Sequence, residues 1–240
     1  MAANGQTNST PPLVEVSPGI FRIGLVQLDK NKKSVQFPAV LNMDHGLIEY
    51  LLVTTRGKTH ESLLKTRAEP YHIHIAMLLL GAKGAAQSKE LLKAPTGEFH
   101  VNAPGTATNR LADLLKGDAV RIEILGTNAQ GATTTNAAED WITDLQTRKS
   151  AARGTWNYNG SRVVDGIYMA QQQGSIVAVI DDVDAMVNNP RKGHENDLVW
   201  EVRSNSVPKV NEKVVVRLTL GKGGLTTEAQ RHGEKKEDGR

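Results

Sequence analysis

Residues 69–81 read EPYHIHIAMLLLG, and the fold class follows from the structure of this run. A proline just after its start is typical of the first turn of a helix, and Gly81 is typical of a helix end. Apolar side chains at positions 73, 76, 77 and 80 form one helical stripe, and those at 75, 78 and 79 fill much of the remaining surface. A helix that is apolar on nearly all sides is usually buried. We therefore predict a central core helix here.

The segments on either side of this helix predict β-strands. Residues 21–41 alternate between apolar and polar side chains around a polar link at 29–33, which predicts a hairpin. Pro38 cannot donate to a ladder, so it predicts an edge or a bulge. Residues 48–66 predict a second hairpin that turns at Arg56-Gly57. Further strands are predicted near residues 120–124, 156–158, 167–170, 175–180, 200–202 and 214–220, with short helices near 109–117 and 136–141.

This pattern predicts an α+β, β-rich fold in which antiparallel sheets pack around one buried helix, with a few short helices besides. We see no internal repeat and no regular βαβ alternation. Residues 13–220 are predicted to form a single domain. Residues 1–12 are polar and predict a flexible leader, and residues 221–240 are rich in Gly, Lys and Glu and predict a disordered tail.

Composition excludes several classes of protein. The 240 residues include no cysteine, which removes disulfides, thiolate nucleophiles, iron–sulfur clusters and Cys-based zinc sites. The net charge of +3 is small, and the densest basic groups, residues 30–33 and 190–192, read as solvated turns, so we predict no nucleic-acid partner. The longest apolar run is far too short to span a bilayer. No secretory apolar segment follows Met1, so we expect either a cytoplasmic protein or a mature exported one.

The histidines are the first candidates for chemistry. His72 and His74 are two residues apart, and on a helix such residues diverge by about 200°, so they cannot chelate one ion. His60 and Glu61 follow a glycine turn and would point to opposite faces of a strand. His60 could meet His74 or the pair at 44–45 across the fold. Such a meeting would make either a functional cluster or a structural polar network. No metal site and no cofactor are predicted.

Three further groups have both a structural and a functional interpretation. The tryptophans at 141, 156 and 200 could build the core or a ligand platform. The aspartates at 181, 182 and 184 could cap a helix or attract a divalent cation, although the Gly and Glu of a calcium loop are missing. Ser161 lies in Gly160-Ser161-Arg162, which lacks the Gly-x-Ser-x-Gly nucleophile elbow.

Several motifs together resemble the YdjY domain family of bacterial proteins, whose biochemical activity is unassigned. They are GKTHESLL at 57–64, IHIAMLLLG at 73–81, AEDW at 138–141, NGSR at 159–162 and GSIVA at 174–178, which leads to NNP at 188–190. The resemblance implies a periplasmic or cell-envelope location, because relatives often carry export signals or lipoprotein anchors. Some relatives are linked to ferredoxin-type modules, a role that a chain without cysteine cannot take over.

The resemblance supplies no catalytic residues, but it indicates where to look for a binding site. The family pattern keeps polar residues at six positions of this chain, and Trp141 adjoins two of them. The candidates are His60, Glu61, His74, Glu139, Asp140, Trp141 and Ser161.

Three hypotheses of function follow. The first is a non-catalytic binding or accessory domain of the bacterial cell envelope, which contacts a protein partner or polar ligand through loops around His60–Glu61 and Trp141–Ser161. The second is a metal-assisted hydrolase that uses His60, Glu61 and His74. The third is a structural subunit of a larger assembly, which predicts a large exposed apolar patch.

Overall fold

The computed structural model describes residues 11–85, 107–128 and 130–221. The predicted tail and nearly all of the predicted leader therefore lie outside the described residues, apart from residues 11, 12 and 221. The first strands are β1 (Val14–Ser17), β2 (Ile20–Ile23), β3 (Val26–Asp29), β4 (Ser34–Leu41), β5 (Tyr50–Thr54), β6 (Ser62–Thr66), β7 (Asp118–Thr127) and β8 (Thr133–Ala137). The later strands are β9 (Ile142–Asp144), β10 (Lys149–Ser150), β11 (Trp156–Tyr158), β12 (Val163–Val164), β13 (Ile167–Tyr168), β14 (Ser175–Ala178), β15 (Val187–Asn188), β16 (Trp200–Val202) and β17 (Lys213–Leu220). The helices are α1 (Pro70–Leu79), α2 (Ala107–Leu114) and α3 (Met169–Gln173), with 3₁₀ turns at Thr59–Glu61 and Ala138–Trp141.

Eight of the strands close into a β-barrel. Their order is β4-β17-β7-β11-β15-β14-β5-β6, and β6 pairs again with β4. Strands β3, β2 and β1 extend the same sheet beyond β4, and β8 pairs with β7. A small sheet of β10, β9 and β16 and a two-stranded ribbon of β12 and β13 lie outside this path.

The alternation of the long strands fills the barrel interior with their own side chains. In register, Phe37 of β4 pairs with Val216 of β17, which pairs with Ile124 of β7, and all three are buried. Between these rows, Arg217 and Glu123 face outward and their charged groups lie 3.6 Å apart. Residues at i and i+2 of a strand share a face. The apolar side chains that alternate along the sequence therefore point into the barrel.

Pro38 lies where β4 changes its neighbour. Residues 34–36 of β4 pair with β3, and residues 40–41 pair with β6, so Pro38 falls between the two ladders. Its carbonyl oxygen accepts a hydrogen bond from Thr66 Oγ1 at 2.6 Å. The missing N–H is tolerated because no strand needs it at this point.

The helix predicted from residues 69–81 is confirmed as α1, but its predicted central position is wrong. The sheet closes on itself instead of packing around the helix, and α1 packs against β3, β4 and α3. Only one face of α1 is buried, while Tyr71, Leu78 and Leu79 are 45%, 51% and 41% exposed. Strand side chains already fill the barrel, so an apolar helix surface does not imply complete burial. None of the helices in the described ranges is long and apolar enough to cross a membrane.

Most neighbouring strands pair antiparallel, as predicted, but the second hairpin predicted at residues 48–66 is wrong. Strands β5 and β6 are not a hairpin but a parallel pair, with Tyr50 opposite Ser62 and Thr54 opposite Thr66. Residues 55–61 run back beside the strands, which places the 3₁₀ turn Thr59–Glu61 next to the start of β5. Strands β14 and β15 are parallel too. An alternating pattern identifies a strand but does not give the direction of its neighbour.

Gly117 allows β7 and β11 to approach each other closely. A Cβ atom at Gly117, directly before β7, would lie 1.8 Å from the carbonyl oxygen of Tyr158, whereas a Cβ at Gly126, within β7, would meet its nearest atom at 3.4 Å. We expect Gly117→Ala to lower the free energy of unfolding by about 1–3 kcal/mol. Gly126→Ala, the matched control, should change it by less than about 0.5 kcal/mol. Urea unfolding followed by circular dichroism measures both, and equal stabilities would contradict the close approach.

Candidate functional site

The structure distributes the seven predicted site residues over three places. His60 and Glu61 lie on the 3₁₀ turn before β6, and residues 139–141 lie on the 3₁₀ turn before β9. His74 in α1 and Ser161 after β11 share the third place. Across the described ranges, no group of three or more His, Cys, Asp and Glu residues could hold a metal ion. The residues of the hydrolase hypothesis therefore do not form a metal centre.

Lys58 organises the turn that carries His60 and Glu61. Its Nζ lies 3.4 Å from Glu61 Oε1, 3.8 Å from Glu49 Oε2 and 5.1 Å from the centre of the Tyr50 ring. Burial disfavours the charged amine, but the contacts with Tyr50 and Glu61 outweigh this effect and raise the pKa of Lys58. Burial and the neighbouring Glu61 raise the pKa of Glu49. Glu61 is thus held by a cation, whereas the His60 side chain is 78% exposed.

A line of hydrogen bonds runs from this turn to Ser161. The hydroxyl of Tyr50 donates to Asp182 Oδ2 at 2.9 Å, and Asp182 Oδ1 accepts from the backbone N–H of Asp184 at 2.8 Å. Asp184 in turn accepts from Arg162 Nε at 2.6 Å through its carboxylate, and from Ser161 Oγ at 2.7 Å through its carbonyl. Asp182 and Asp184 therefore hold this loop in place. The predicted helix-capping role is wrong, because β14 is followed by this loop and then by β15, with no helix in the described residues between them.

The Ser161 hydroxyl is hydrogen-bonded to two backbone groups. Its Oγ donates to the carbonyl of Asp184 and accepts from the backbone N–H of Ala170 at 3.0 Å. Its backbone has a positive φ of 63°, directly after Gly160 at 78°. Because both hydrogen bonds go to backbone groups, this hydroxyl has no adjacent general base and fixes the turn instead.

The His74 side chain contacts the hydroxyl group of Tyr158. Its Nδ1 lies 2.7 Å from the Tyr158 hydroxyl, and its ring centre is 5.0 Å from that of Tyr168. Tyr168 donates to the carbonyl of Gly160 at 3.2 Å, which connects this pair to the Ser161 turn. Burial lowers the pKa of His74 and raises the pKa of Tyr158, so both groups stay neutral. The sequence analysis missed Tyr158, which lies 84 positions away and has no local signal.

Glu139 is a buried carboxylate with a buried cation beside it. Only 2% of Glu139 is exposed, and its Oε1 accepts from Trp156 Nε1 at 2.9 Å and from Arg191 Nη2. The Arg191 guanidinium also lies 4.8 Å from the centre of the Trp156 ring. Burial lowers the pKa of Arg191, and Glu139 opposes that effect. The solvated turn predicted at residues 190–192 is therefore wrong for Arg191, whose side chain is 11% exposed.

The two residues that follow Glu139 have different surroundings. Asp140 accepts two hydrogen bonds from the exposed Arg153, at 3.0 and 2.8 Å. Trp141 is buried, as are Trp156 and Trp200, so the three tryptophans belong to the core and do not build a ligand platform.

Comparison with known proteins identifies one family. The model of the YdjY domain matches residues 26–219, which run from β3 into β17 and include the whole barrel except its last residue. Neither a curated protein nor a solved structure matches the chain.

The adjacent acids 139 and 140 allow a matched test of burial. Arg191→Met leaves the Glu139 carboxylate buried without its cation, and we expect a loss of about 3–5 kcal/mol in the free energy of unfolding. Arg153→Met removes the partner of the more exposed pair, and we expect a much smaller loss, because solvent screens this pair. Glu139→Gln should recover part of the Arg191→Met loss, because the amide oxygen still accepts from Trp156. Equal losses in urea unfolding for the two arginine variants would contradict this difference.

His74 gives the stability a dependence on pH. Its pKa is lowered in the folded state, so the unfolded chain binds a proton first as the pH falls below about 6.5. Stability is then lost between that pH and the lower folded pKa, by at most about 1.4 kcal/mol per pH unit for one proton. Burial lowers the pKa of His72 too, so it adds to the effect. Urea unfolding at pH 7.5, 6.5 and 5.5 should show a shallower decline for His74→Gln, and an unchanged decline would contradict the assignment.

Proposed function

We propose, starting from the fact that the chain belongs to the YdjY domain family, that it is a non-catalytic binding or accessory domain. It contacts a protein partner or a polar ligand through the loops around His60–Glu61 and Trp141–Ser161. We place it in the bacterial cell envelope, because the resemblance implies relatives with export signals or lipoprotein anchors.

One observation carries the proposal: apart from the exposed His60, the groups in these loops that could do chemistry are held by fixed partners. Lys58 holds Glu61, Arg191 and Trp156 hold Glu139, and backbone groups hold Ser161 Oγ. A general acid, base or nucleophile needs a reacting partner within hydrogen-bond reach. Groups that are bound in this way instead keep the loops in one conformation, and a preordered loop binds at a lower entropic cost.

Among the described residues, the groups of the metal-assisted hydrolase do not converge on one point. A catalytic metal site takes about three protein ligands around one open position. The imidazole of His74 contacts the Tyr158 hydroxyl, while His60 lies beside Glu61 on a different element. These contacts favour the binding role over hydrolysis.

The structural subunit remains a second candidate, because α1 has an exposed apolar face. Tyr71, Leu78 and Leu79 are exposed and Ile75 is half-buried. These residues follow the spacing i, i+4, i+7 and i+8, which puts them on one side of a helix. A subunit of an assembly would cover such a face with its neighbour.

Site-specific photo-crosslinking separates the two roles. A benzophenone amino acid is placed at position 60 or 146 for the loops, at position 78 for α1, and at position 32 in the β3–β4 turn as a control. The binding role predicts adducts of defined mass at positions 60 and 146 in cells of the native host, and mass spectrometry identifies them. The structural subunit predicts adducts at position 78 instead.

The control position and a ligand measurement complete the test. Position 32 is exposed and lies outside the proposed loops, so adducts there at the same level would mark non-specific capture. Native mass spectrometry of the protein from its host detects a small bound molecule. A bare chain mass together with no adducts at positions 60 and 146 would contradict the binding role.

A further inference from the structure

A cavity of about 380 Å³ opens between two loops of the chain. One wall comes from residues 42–47, between β4 and β5, and the other from residues 203–212, between β16 and β17. The volume falls in the lower part of the range of about 300–1,000 Å³ that is usual for small-molecule sites. The lining residues are Asp44, His45, Ser204, Val207, Pro208 and Lys209.

Both walls are anchored next to the proposed binding loops. Asn42 Nδ2 donates to the carbonyls of Thr59 at 2.6 Å and Ser62 at 2.7 Å, so the first wall begins at the His60 turn. The backbone N–H of Arg203 donates to the carbonyl of Trp141 at 2.9 Å, so the second wall begins at the Trp141 turn. The cavity therefore lies in the part of the surface to which the sequence motifs pointed, although none of the predicted residues lines it.

The polar side chains that line the cavity make fewer hydrogen bonds and ion pairs with protein groups than those of the loops. Asp44 Oδ1 lies 2.6 Å from His45 Nδ1, which orients the imidazole. Within the described ranges, Ser204 Oγ and Lys209 Nζ make no hydrogen bond or ion pair with another protein group. A hydroxyl and an ammonium are both donors, and here they line the same cavity.

The rest of the lining is apolar and held in place. Val207 packs against the hydrophobic core, as does Met43 at the start of the first wall. Pro208 has a fixed φ and no N–H group, so it contributes an apolar surface to the wall. A ligand that suits the whole cavity has an apolar part as well as an acceptor.

We infer that this cavity binds a carboxylate that carries a small apolar group. One carboxylate oxygen accepts from Lys209 Nζ and the other from Ser204 Oγ, while the apolar group contacts Val207 and Pro208. Any anion in the cavity faces both Lys209 and the Asp44 carboxylate, whose Oδ1 already contacts His45 Nδ1. A single negative charge meets less repulsion from Asp44 than a doubly charged phosphate would, and one lysine is enough to pair with it. A cation would face Lys209 instead. The inference deepens the proposed binding role by giving its ligand class, and it rests on that role.

The ligand carboxylate has two sources, a free organic acid or the C-terminus of a peptide. Both present the same group to Lys209 and Ser204. The experiment therefore uses N-acetylvaline, its neutral amide as the uncharged analogue, isobutyrate as a free acid with its own neutral amide, and a short valine-ending peptide with a free or amidated C-terminus.

Two-dimensional NMR of the full chain tests the inference. Titration with N-acetylvaline should shift the amide signals of residues 44–46 and 204–210, and N-acetylvalinamide should not. Lys209→Gln should raise the Kd about ten-fold, equivalent to the loss of one charge-assisted contact. Lys32→Gln, a change at an exposed lysine in the β3–β4 turn, outside the cavity and the proposed binding loops, should leave the Kd unchanged. Ser204→Ala should raise the Kd by a smaller factor.

Every outcome of the titration decides for or against the carboxylate site. Tighter binding of the free-acid peptide than of its amide, or of isobutyrate than of isobutyramide, supports the inference and identifies the source. No shifts at these residues at about 10 mM of any carboxylate, equal binding of the amide, or equal effects of the two lysine variants would overturn it. The photo-crosslinking result at positions 60 and 146 is independent, so either proposal can fail alone.

Discussion

Two residue pairs, Val40 with Lys65 and Leu41 with Leu64, join β4 to β6 and close the barrel. Closure leaves no free edge among the eight strands and turns one face of each strand inward. The inward faces supply enough apolar side chains to fill the interior, from Phe37 to Trp156. The helix α1 is consequently left outside, with one face on the core and the other exposed.

Closure also explains why Ser161, Glu139 and His74 are held firmly. They lie in the connections between barrel strands, where much of each side chain is taken out of water. A buried polar group without a partner costs free energy, so each one is bound by a neighbour. Among the described residues, no buried side-chain nitrogen or oxygen lacks a hydrogen-bond partner. Ser161, Glu139 and His74 are therefore fixed points of the loops.

The same construction separates groups that hold the loops from groups that are accessible to a ligand. The tightly bonded turns at Thr59–Glu61 and Ala138–Trp141 anchor the two walls of the cavity through Asn42 and Arg203. The Ser204 hydroxyl and the Lys209 ammonium then line a cavity whose walls are held in place by the barrel. A rigid scaffold with less engaged groups at its loops is a common arrangement in binding proteins.

The sequence alone determined the local elements: the strand periodicity of residues 120–124 and 214–220, the helix that begins at Pro70, and the membership of the YdjY family. These features follow from the spacing of side chains that lie two to four positions apart in the sequence. The parallel pairing of β5 with β6, the closure of the barrel and the contact of Arg191 with Glu139 were decided only by the tertiary structure. Such contacts join positions that are far apart in the sequence. They depend on how the whole set of strands packs, which no single segment determines.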